Sequence, residues 1–139
     1  MLEDVHAACE PLGEVLVCDA PGGQGQALAA FLEDLSGPVV IVNADVPCVS
    51  TEELGALAAA APALVSAPDG TTNALALTDA RDFVPLYGPG SAARYAATLK
   101  ARPLDLPGLR DDVDTWDDLL RLGERAGPNT RRLLKARAA

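Results

Sequence analysis

The chain has 139 residues, which is enough for one domain with a buried core, and we expect a single domain over residues 1–139. Its formal net charge is −9, and all eleven lysines and arginines lie at or beyond Arg81, so neither nucleic acid nor an anionic membrane surface is an expected partner. No apolar run approaches the roughly 20 residues that a membrane span needs, and we expect a cytoplasmic protein.

The first 45 residues alternate helix and strand signals. Residues 2–10 predict an amphipathic helix, and residues 14–19 predict a short strand built on Val-Leu-Val. A loop rich in glycine and glutamine at 21–26 leads into a helix predicted over 27–35. Residues 38–45 give the clearest strand, a run of branched apolar residues that ends on a carboxylate. That acid, Asp45, would lie at the carboxyl end of the strand, where open α/β sheets bind ligands.

The rest of the chain continues the alternation. Ser50 and Glu53 have the spacing of a capping box, which predicts a helix from there to about residue 60. Strands are predicted at 63–67 and 73–77, and a helix over 91–100 with Ser91 as its cap. The last elements are extended segments at 104–106 and 109–113, a helix from Thr115, and a basic helix over 129–137. This alternation predicts an α/β fold with a mostly parallel sheet.

Three carboxylates are the candidate catalytic and metal-binding groups. Asp112 and Asp114 form a second acidic station just before a helix, well separated in sequence from Asp45. A divalent ion needs hard oxygen ligands from at least two places, and these two stations would supply them to Mg²⁺. Taken alone, Asp45 is better explained as a strand-end or turn residue, and residues 111–118 as a solvated helix start.

Three loops are candidates for ligand binding, although each has an ordinary structural explanation. Residues 71–73 (Thr-Thr-Asn) either close a turn or hold the carboxylate or phosphate of a small acid. The string Tyr-Gly-Pro-Gly-Ser (87–91) allows close backbone approach at a helix start, with Arg94 as the nearest cation, or is only a glycine turn before a helix. Residues 22–26 lack the Lys-Ser/Thr of a P-loop and either meet a nucleobase edge or form a flexible helix entry.

Four strings together resemble the family of 2-phospho-L-lactate guanylyltransferases, also described as phosphoenolpyruvate guanylyltransferases, which act in coenzyme F420 biosynthesis. The strings are Asn-Ala-Asp-Val-Pro (43–47), Thr-Thr-Asn-Ala-Leu (71–75), Tyr-Gly-Pro-Gly-Ser (87–91) and Asp-Val-Asp-Thr-Trp-Asp-Asp-Leu (112–119). The resemblance runs from about residue 22 to 120. It implies a MobA-like nucleotidyltransferase fold, a three-layer, Rossmann-like arrangement with the mostly parallel sheet of nucleotide-diphospho-sugar transferases.

The resemblance also implies a reaction. GTP and a phosphorylated three-carbon acid (2-phospho-L-lactate, phosphoenolpyruvate or 3-phosphoglycerate) would give a guanylylated diphosphate and pyrophosphate, with Mg²⁺ as cofactor. By that analogy Asp45, Asp112 and Asp114 hold the metal. The acid would be bound by Thr72, Asn73, Gly90, Ser91 and Arg94, and the guanine would face Gly23, Gln24, Gly25 and Gln26.

The chain departs from the family pattern in two places. A basic residue, often His, typically follows the arginine after the Gly-Pro-Gly-Ser loop, and here Tyr95 stands there. The family also begins with a strand and a loop that wraps the GTP phosphates, and residues 1–80 contain no cation to replace it. We therefore expect an N-terminally truncated domain with an exposed sheet edge open to self-association. The alternatives are a MobA-like transferase with another acceptor, or a non-catalytic remnant that binds a small phosphorylated acid or a partner chain.

Overall fold

Four short strands form one mixed sheet in the computed structural model, which describes residues 1–138. The strands are β1 (Val39–Val42), β2 (Ala63–Ser66), β3 (Thr72–Leu77) and β4 (Arg102–Pro103), in the spatial order β1-β3-β2-β4. Strand β3 runs antiparallel to both of its neighbours, and β2 pairs with β4 in parallel. The fold is therefore α/β, as predicted.

The prediction of a mostly parallel sheet is wrong, and the connection between β2 and β3 is the reason. Only residues 67–71 separate the two strands, with Gly70 at φ 86° in the turn between them. A parallel pair needs a crossover of about a dozen residues or more, whereas a link this short closes an antiparallel hairpin. The connection length could have corrected the prediction from the sequence. Strands β1 and β2 still point the same way, because both are antiparallel to β3.

Seven α-helices lie within the described residues, and those before residue 100 follow the predicted positions to within a few residues. The predicted helix starts at Ser50 and Thr115 are both confirmed, and each has a capping box, with Glu53 and Asp118 respectively. None of the helices in residues 1–138 is long and apolar enough to cross a bilayer. The helices are α1 (Leu2–Cys9), α2 (Gln24–Leu32), α3 (Thr51–Ala59), α4 (Ser91–Leu99), α5 (Pro107–Arg110), α6 (Trp116–Leu122) and α7 (Pro128–Ala138).

Side chains from both faces of the sheet are buried, so helices cover it from two sides. Alternate residues of β3 divide between two apolar clusters. Ala74 and Ala76 pack with residues of α1 and α3, whereas Leu75 and Leu77 pack with residues of α2 and α4. This division follows from the two-residue period of a strand. It produces three layers, with small side chains on one face of β3 and large ones on the other.

Two segments predicted to be extended form no strand. Residues 14–19 form no strand, and Leu16 and Val17 are about half exposed at 51% and 49%. The Val-Leu-Val pattern therefore has no strand partner within the described residues. Residues 109–113 form no strand either, because Pro107 starts the short helix α5 and Leu109 is completely buried in it.

Asp4 connects the first helix to the last. This carboxylate is 6% exposed and accepts four hydrogen bonds of 2.6–3.0 Å, from the backbone and side chains of Asn129 and Thr130 at the start of α7. Burial opposes its ionisation, but the four hydrogen bonds outweigh that effect and hold the pKa of Asp4 below its ordinary value. Gly127 lies so close to the same carboxylate that a Cβ has no room there.

We expect Asp4→Ala to lower the free energy of unfolding by about 2 kcal/mol, because it leaves the first amides of α7 without their acceptor. Since the folded pKa lies below the unfolded one, this contribution is complete above about pH 4 and is lost as the pH falls through the folded pKa. Urea denaturation at pH 7 and pH 3 measures the difference. Glu3→Ala, an exposed change in the same helix, is the control, and an equal loss from it would contradict the assignment.

Candidate functional site

The carboxyl end of β1 carries Asp45 into a turn beside the acidic segment 111–115. The backbone N–H of Val113 donates a 2.9 Å hydrogen bond to the carbonyl of Asp45. Val113 lies between Asp112 and Asp114, so this bond brings both candidate acids next to the strand end. Val46, the next residue, is completely buried in the core and anchors the turn.

The three carboxylates repel one another. Oδ1 of Asp45 is buried and has no hydrogen-bond partner within residues 1–138. Burial raises the pKa of Asp45, and the charges of Asp112 and Asp114 raise it further. Burial also raises the pKa of Asp112, with Asp114 and Asp69 adding to the effect. Ionising these groups together therefore costs free energy that a bound cation would recover.

These acids have the chemistry of a divalent-cation site without a complete set of protein ligands. The described part of the chain contains no group of three or more His, Cys, Asp or Glu side chains already arranged around one point. Magnesium is commonly held by one or two carboxylates and completes its shell with water and substrate phosphates. The orphaned Asp45 oxygen, with Asp112 and Asp114 nearby, fits that kind of site.

Asp111, the neighbour of this group, has a structural role that the sequence did not reveal. It is 7% exposed and pairs with Nε of Arg110 at 3.2 Å and with Nη2 of Arg125 at 2.8 Å. Burial opposes its ionisation, but both guanidinium groups together hold the pKa of Asp111 below its ordinary value. These ion pairs fix the segment from which Asp112 projects.

Thr72 and Ser91 are both buried, and their hydroxyls bond each other. The two oxygens lie 2.8 Å apart, and the residues are 1% and 0% exposed. The prediction that Ser91 caps α4 is wrong: Gly90 is the cap, with φ 71°, and Ser91 is the first helical residue. The Ser91 hydroxyl points to β3 instead. The pair ties the Gly-Pro-Gly-Ser loop to the sheet, and its contact with a small acid stays a prediction.

Arg94 folds back over the loop that precedes α4. Its guanidinium donates hydrogen bonds to the carbonyls of Pro89 at 2.6 Å and Leu86 at 2.8 Å. The side chain is exposed and close to Gly90, where a Cβ would lie 3.4 Å from Nη1. Arg94 therefore shapes the loop while remaining open to solvent.

Tyr95 supports the same loop from the core. It is completely buried, and its hydroxyl donates to the carbonyl of Val84 at 2.8 Å and accepts from the N–H of Leu86 at 3.2 Å. The position where the family resemblance expects a basic residue is thus an interior one in this chain.

Asn73 and Asn43 link the loops at the ends of the strands. The buried Asn73 donates from Nδ2 to the carbonyl of Arg110 at 2.9 Å. Asn43, just beyond β1, donates from Nδ2 to the carbonyl of Thr72 at 3.3 Å and accepts from Nε2 of Gln24 at 2.7 Å. Asn43 is a linking residue that the sequence did not single out. Its signal is a polar side chain directly after a strand and two residues before Asp45.

The predicted nucleotide loop is shorter than expected because α2 begins at Gln24, with Gly23 as its cap. Gly25 packs against Pro85, where a Cβ would lie 3.2 Å from the proline Cβ. Gln26 is exposed on the helix.

One open cleft of about 1050 Å³ continues along the outer edge of β1. It is lined by Gln24 and by the strand-end residues Asn43 and Asp45. The structure thus brings Gln24 and Asp45 to one cleft, whereas Thr72 and Ser91 do not line it.

Comparison with known proteins finds relatives but no matching family model. The chain is similar to three proteins named phosphoenolpyruvate guanylyltransferase. The one from Nocardia farcinica is 41% identical over 70% of this chain and 46% of its own length, and the one from Streptomyces scabiei is 38% identical over 81% and 60%. The one from Geodermatophilus obscurus is 39% identical over 95% of this chain and 66% of its own length. The chain therefore spans about half to two thirds of the length of these curated relatives.

We expect Asp45→Asn to raise the free energy of unfolding at pH 7 by about 1 kcal/mol in metal-free buffer, because it removes the charge from a half-buried carboxylate whose Oδ1 has no partner. Because the folded pKa of Asp45 lies above the unfolded one, the gain is complete above the folded pKa and disappears below about pH 4. Urea titrations at several pH values check this. Asp117→Asn, on an exposed residue, is the control. A loss of stability in Asp45→Asn would contradict the unpaired-charge assignment.

Proposed function

The chain belongs to the phosphoenolpyruvate guanylyltransferase family, and we propose that it transfers a guanylyl group from GTP to a phosphorylated three-carbon acid, with release of pyrophosphate. The observation that carries this proposal is the buried, unpartnered Oδ1 of Asp45, which lines an open cleft and lies near enough to Asp112 and Asp114 for their charges to raise its pKa. Charge of this kind at the carboxyl end of β1 supports a site for a cation and a polyphosphate.

Magnesium would be held by Asp45 together with Asp112 or Asp114, and when bound it would neutralise charge on the triphosphate. The rest of the catalysis is positioning and electrostatics, since the acceptor phosphate itself is the nucleophile and attacks the α-phosphorus. Val113 holds the two acidic stations together through its bond to the Asp45 carbonyl. The ion pairs of Asp111 keep the second station in place.

Arg94 is the best candidate to bind the acid. Its guanidinium uses two hydrogen bonds on the carbonyls of Pro89 and Leu86, and its other N–H donors are available for a carboxylate or phosphate. The names of the relatives favour phosphoenolpyruvate as the acid. 2-Phospho-L-lactate and 3-phosphoglycerate present the same two anionic groups, and a role in coenzyme F420 biosynthesis is part of this proposal.

Pyrophosphate release by the 139-residue chain, with GTP, Mg²⁺ and each of the three acids in turn, tests the function. We expect release that needs both GTP and one acid, and a decrease of about 100-fold in Asp45→Asn. Mg²⁺ alone should raise the melting temperature of the unmodified chain and leave that of Asp45→Asn unchanged. Glu33→Gln, an exposed change at the end of α2, is the control. No release with any acid, from folded protein, would refute the proposal for this chain.

The outer edge of β1 supports a second proposal, pairing between copies of the chain. The N–H of Asn43 bonds the carbonyl of Asn73, so by the alternation of an antiparallel ladder the peptide groups of Val40 and Val42 face outward. No strand of the described chain lies on that side. An apolar edge with free peptide groups is a template for another strand.

Sedimentation velocity over a 100-fold range of concentration measures this association. We expect dimers at high concentration, and a monomer in Val40→Pro, which removes one outward N–H donor. Val17→Lys changes an exposed apolar residue of the flanking segment and serves as the control for nonspecific association. A monomer at every concentration, or equal effects of both changes, would exclude pairing through β1.

A further inference from the structure

The short link between α6 and α7, residues 123–127, contacts the chain beside both acidic stations of the candidate site. Nη2 of Arg125 lies 2.8 Å from Oδ2 of Asp111, the residue directly before the second station. Two positions further along, the backbone N–H of Gly127 donates a 2.7 Å hydrogen bond to the carbonyl of Pro47, just after the first station. A single short segment is therefore bonded to the neighbours of both stations.

The two stations also contact each other, so that three segments form a closed ring. The N–H of Val113, in the middle of the second station, donates a 2.9 Å hydrogen bond to the carbonyl of Asp45. Each of the three segments, which are the turn at 45–47, the acidic segment 111–114 and the link, is thus bonded to the other two. The link closes this ring, and its position sets how far the stations lie from each other.

The position of the link is fixed by parts of the molecule outside the site. Gly127 lies so close to the Asp4 carboxylate that a Cβ has no room there. The same carboxylate accepts hydrogen bonds from the first amides of α7, those of Asn129 at 3.0 Å and Thr130 at 2.8 Å. Arg125 therefore reaches the acidic segment from an anchored part of the fold.

The acidic segment needs support because the carboxylates of the site repel one another. The charge of Asp114 raises the pKa of Asp112, and the charges of both raise the pKa of Asp45. In the absence of a cation, this repulsion favours a greater distance between the two stations. An ion pair that ties the second station to the link opposes that movement.

Arg125 and Arg110 both pair with Asp111, but only Arg125 of these two reaches it from another part of the fold. Arg110 is the neighbour of Asp111 in the chain, and its guanidinium also pairs with Asp105 at 2.7 Å. The side chain of Arg110 therefore connects residues within 105–111. Arg125 lies fourteen positions from Asp111, beyond α6, so its ion pair connects the acidic segment to the link.

We propose that Arg125 is a positioning residue for the metal, which holds the second acidic station at a distance from Asp45 that one divalent cation bridges; this inference rests on the proposed function. The sign of its effect separates positioning from charge. A guanidinium beside a cation site weakens cation binding by its charge alone, so charge predicts tighter binding once it is removed. Positioning predicts weaker binding, because the carboxylates are then free to move apart.

Titration of the 139-residue chain with Mn²⁺, followed by the EPR signal of the free ion, measures cation binding without nucleotide or turnover. We expect Arg125→Ala to weaken Mn²⁺ binding about tenfold, as do changes to residues that orient metal ligands. Arg125→Met, which keeps the aliphatic stem, should show the same loss, and Arg125→Lys should recover part of it. Arg131→Ala, which removes an arginine of α7 paired with Glu124, is the matched control and should keep the affinity.

A double-mutant cycle tests whether Arg125 acts through Asp111. Asp111→Asn should also weaken Mn²⁺ binding, and adding Arg125→Ala to it should cause little further loss. The Mg²⁺ concentration for half-maximal pyrophosphate release should rise in the same variants, with the KM for the acid unchanged. Melting curves establish that each variant is folded at the temperature of the titration.

The outcomes distinguish this inference from the function beneath it. Unchanged or tighter Mn²⁺ binding by folded Arg125→Ala or Arg125→Met would overturn the positioning role and leave guanylyl transfer standing. An equal loss in Arg131→Ala would overturn it as well, because the effect would then not be specific to the link. Losses that add in the double variant would overturn the route through Asp111. No binding of Mn²⁺ by the folded, unmodified chain would overturn the proposed metal site and this inference together.

Discussion

Strand β3 is the constraint on which the rest of the structure depends. Each of its residues, Thr72–Leu77, is buried, and it lies between β1 and β2 in the sheet. A central strand with both faces covered tolerates polar side chains only where they are bonded. Its first two residues are polar, and they form the contacts that assemble the site: Thr72 with Ser91, and Asn73 with Arg110. Strand β3 therefore holds the loop before α4 and the segment at Arg110 in a defined position.

The buried carboxylate oxygens of this molecule differ in whether they have hydrogen-bond donors. Asp4 and Asp111 are buried carboxylates with their full complement of donors, and both have lowered pKa values. Asp45 has a buried oxygen without a donor, and its pKa is raised. Folding therefore stabilises the first two charges and opposes the third. An unsatisfied charge of this kind is expected where a protein keeps binding capacity for a ligand, because the ligand supplies the missing partner.

Local signals explain the parts of the fold that the sequence predicted well. The capping boxes at Ser50 and Thr115 need only residues three positions apart, and the helices that they start are present. Strands β1 and β3 lie where branched or apolar runs predict them. The position of Asp45 at the end of β1 follows from the same run, so the main acidic residue of the candidate site could be identified from sequence.

The tertiary structure alone decided what the polar side chains do. The side chains of Thr72, Asn73 and Ser91 bond to groups distant in sequence that no spacing rule brings together, and their contact with a ligand stays a prediction. The segment 14–19 has a strand pattern but no strand beside it, and a strand needs a neighbour to satisfy its peptide groups. The sequence by itself determined the helix starts, the buried strands and the charge at the end of β1, because those depend on neighbours along the chain. Neighbours in space decide the direction of β3, the hydrogen bonds that link Gln24 to Asn43, and the bonds of Arg94 to the backbone of the loop before α4. Only the folded chain defines these features.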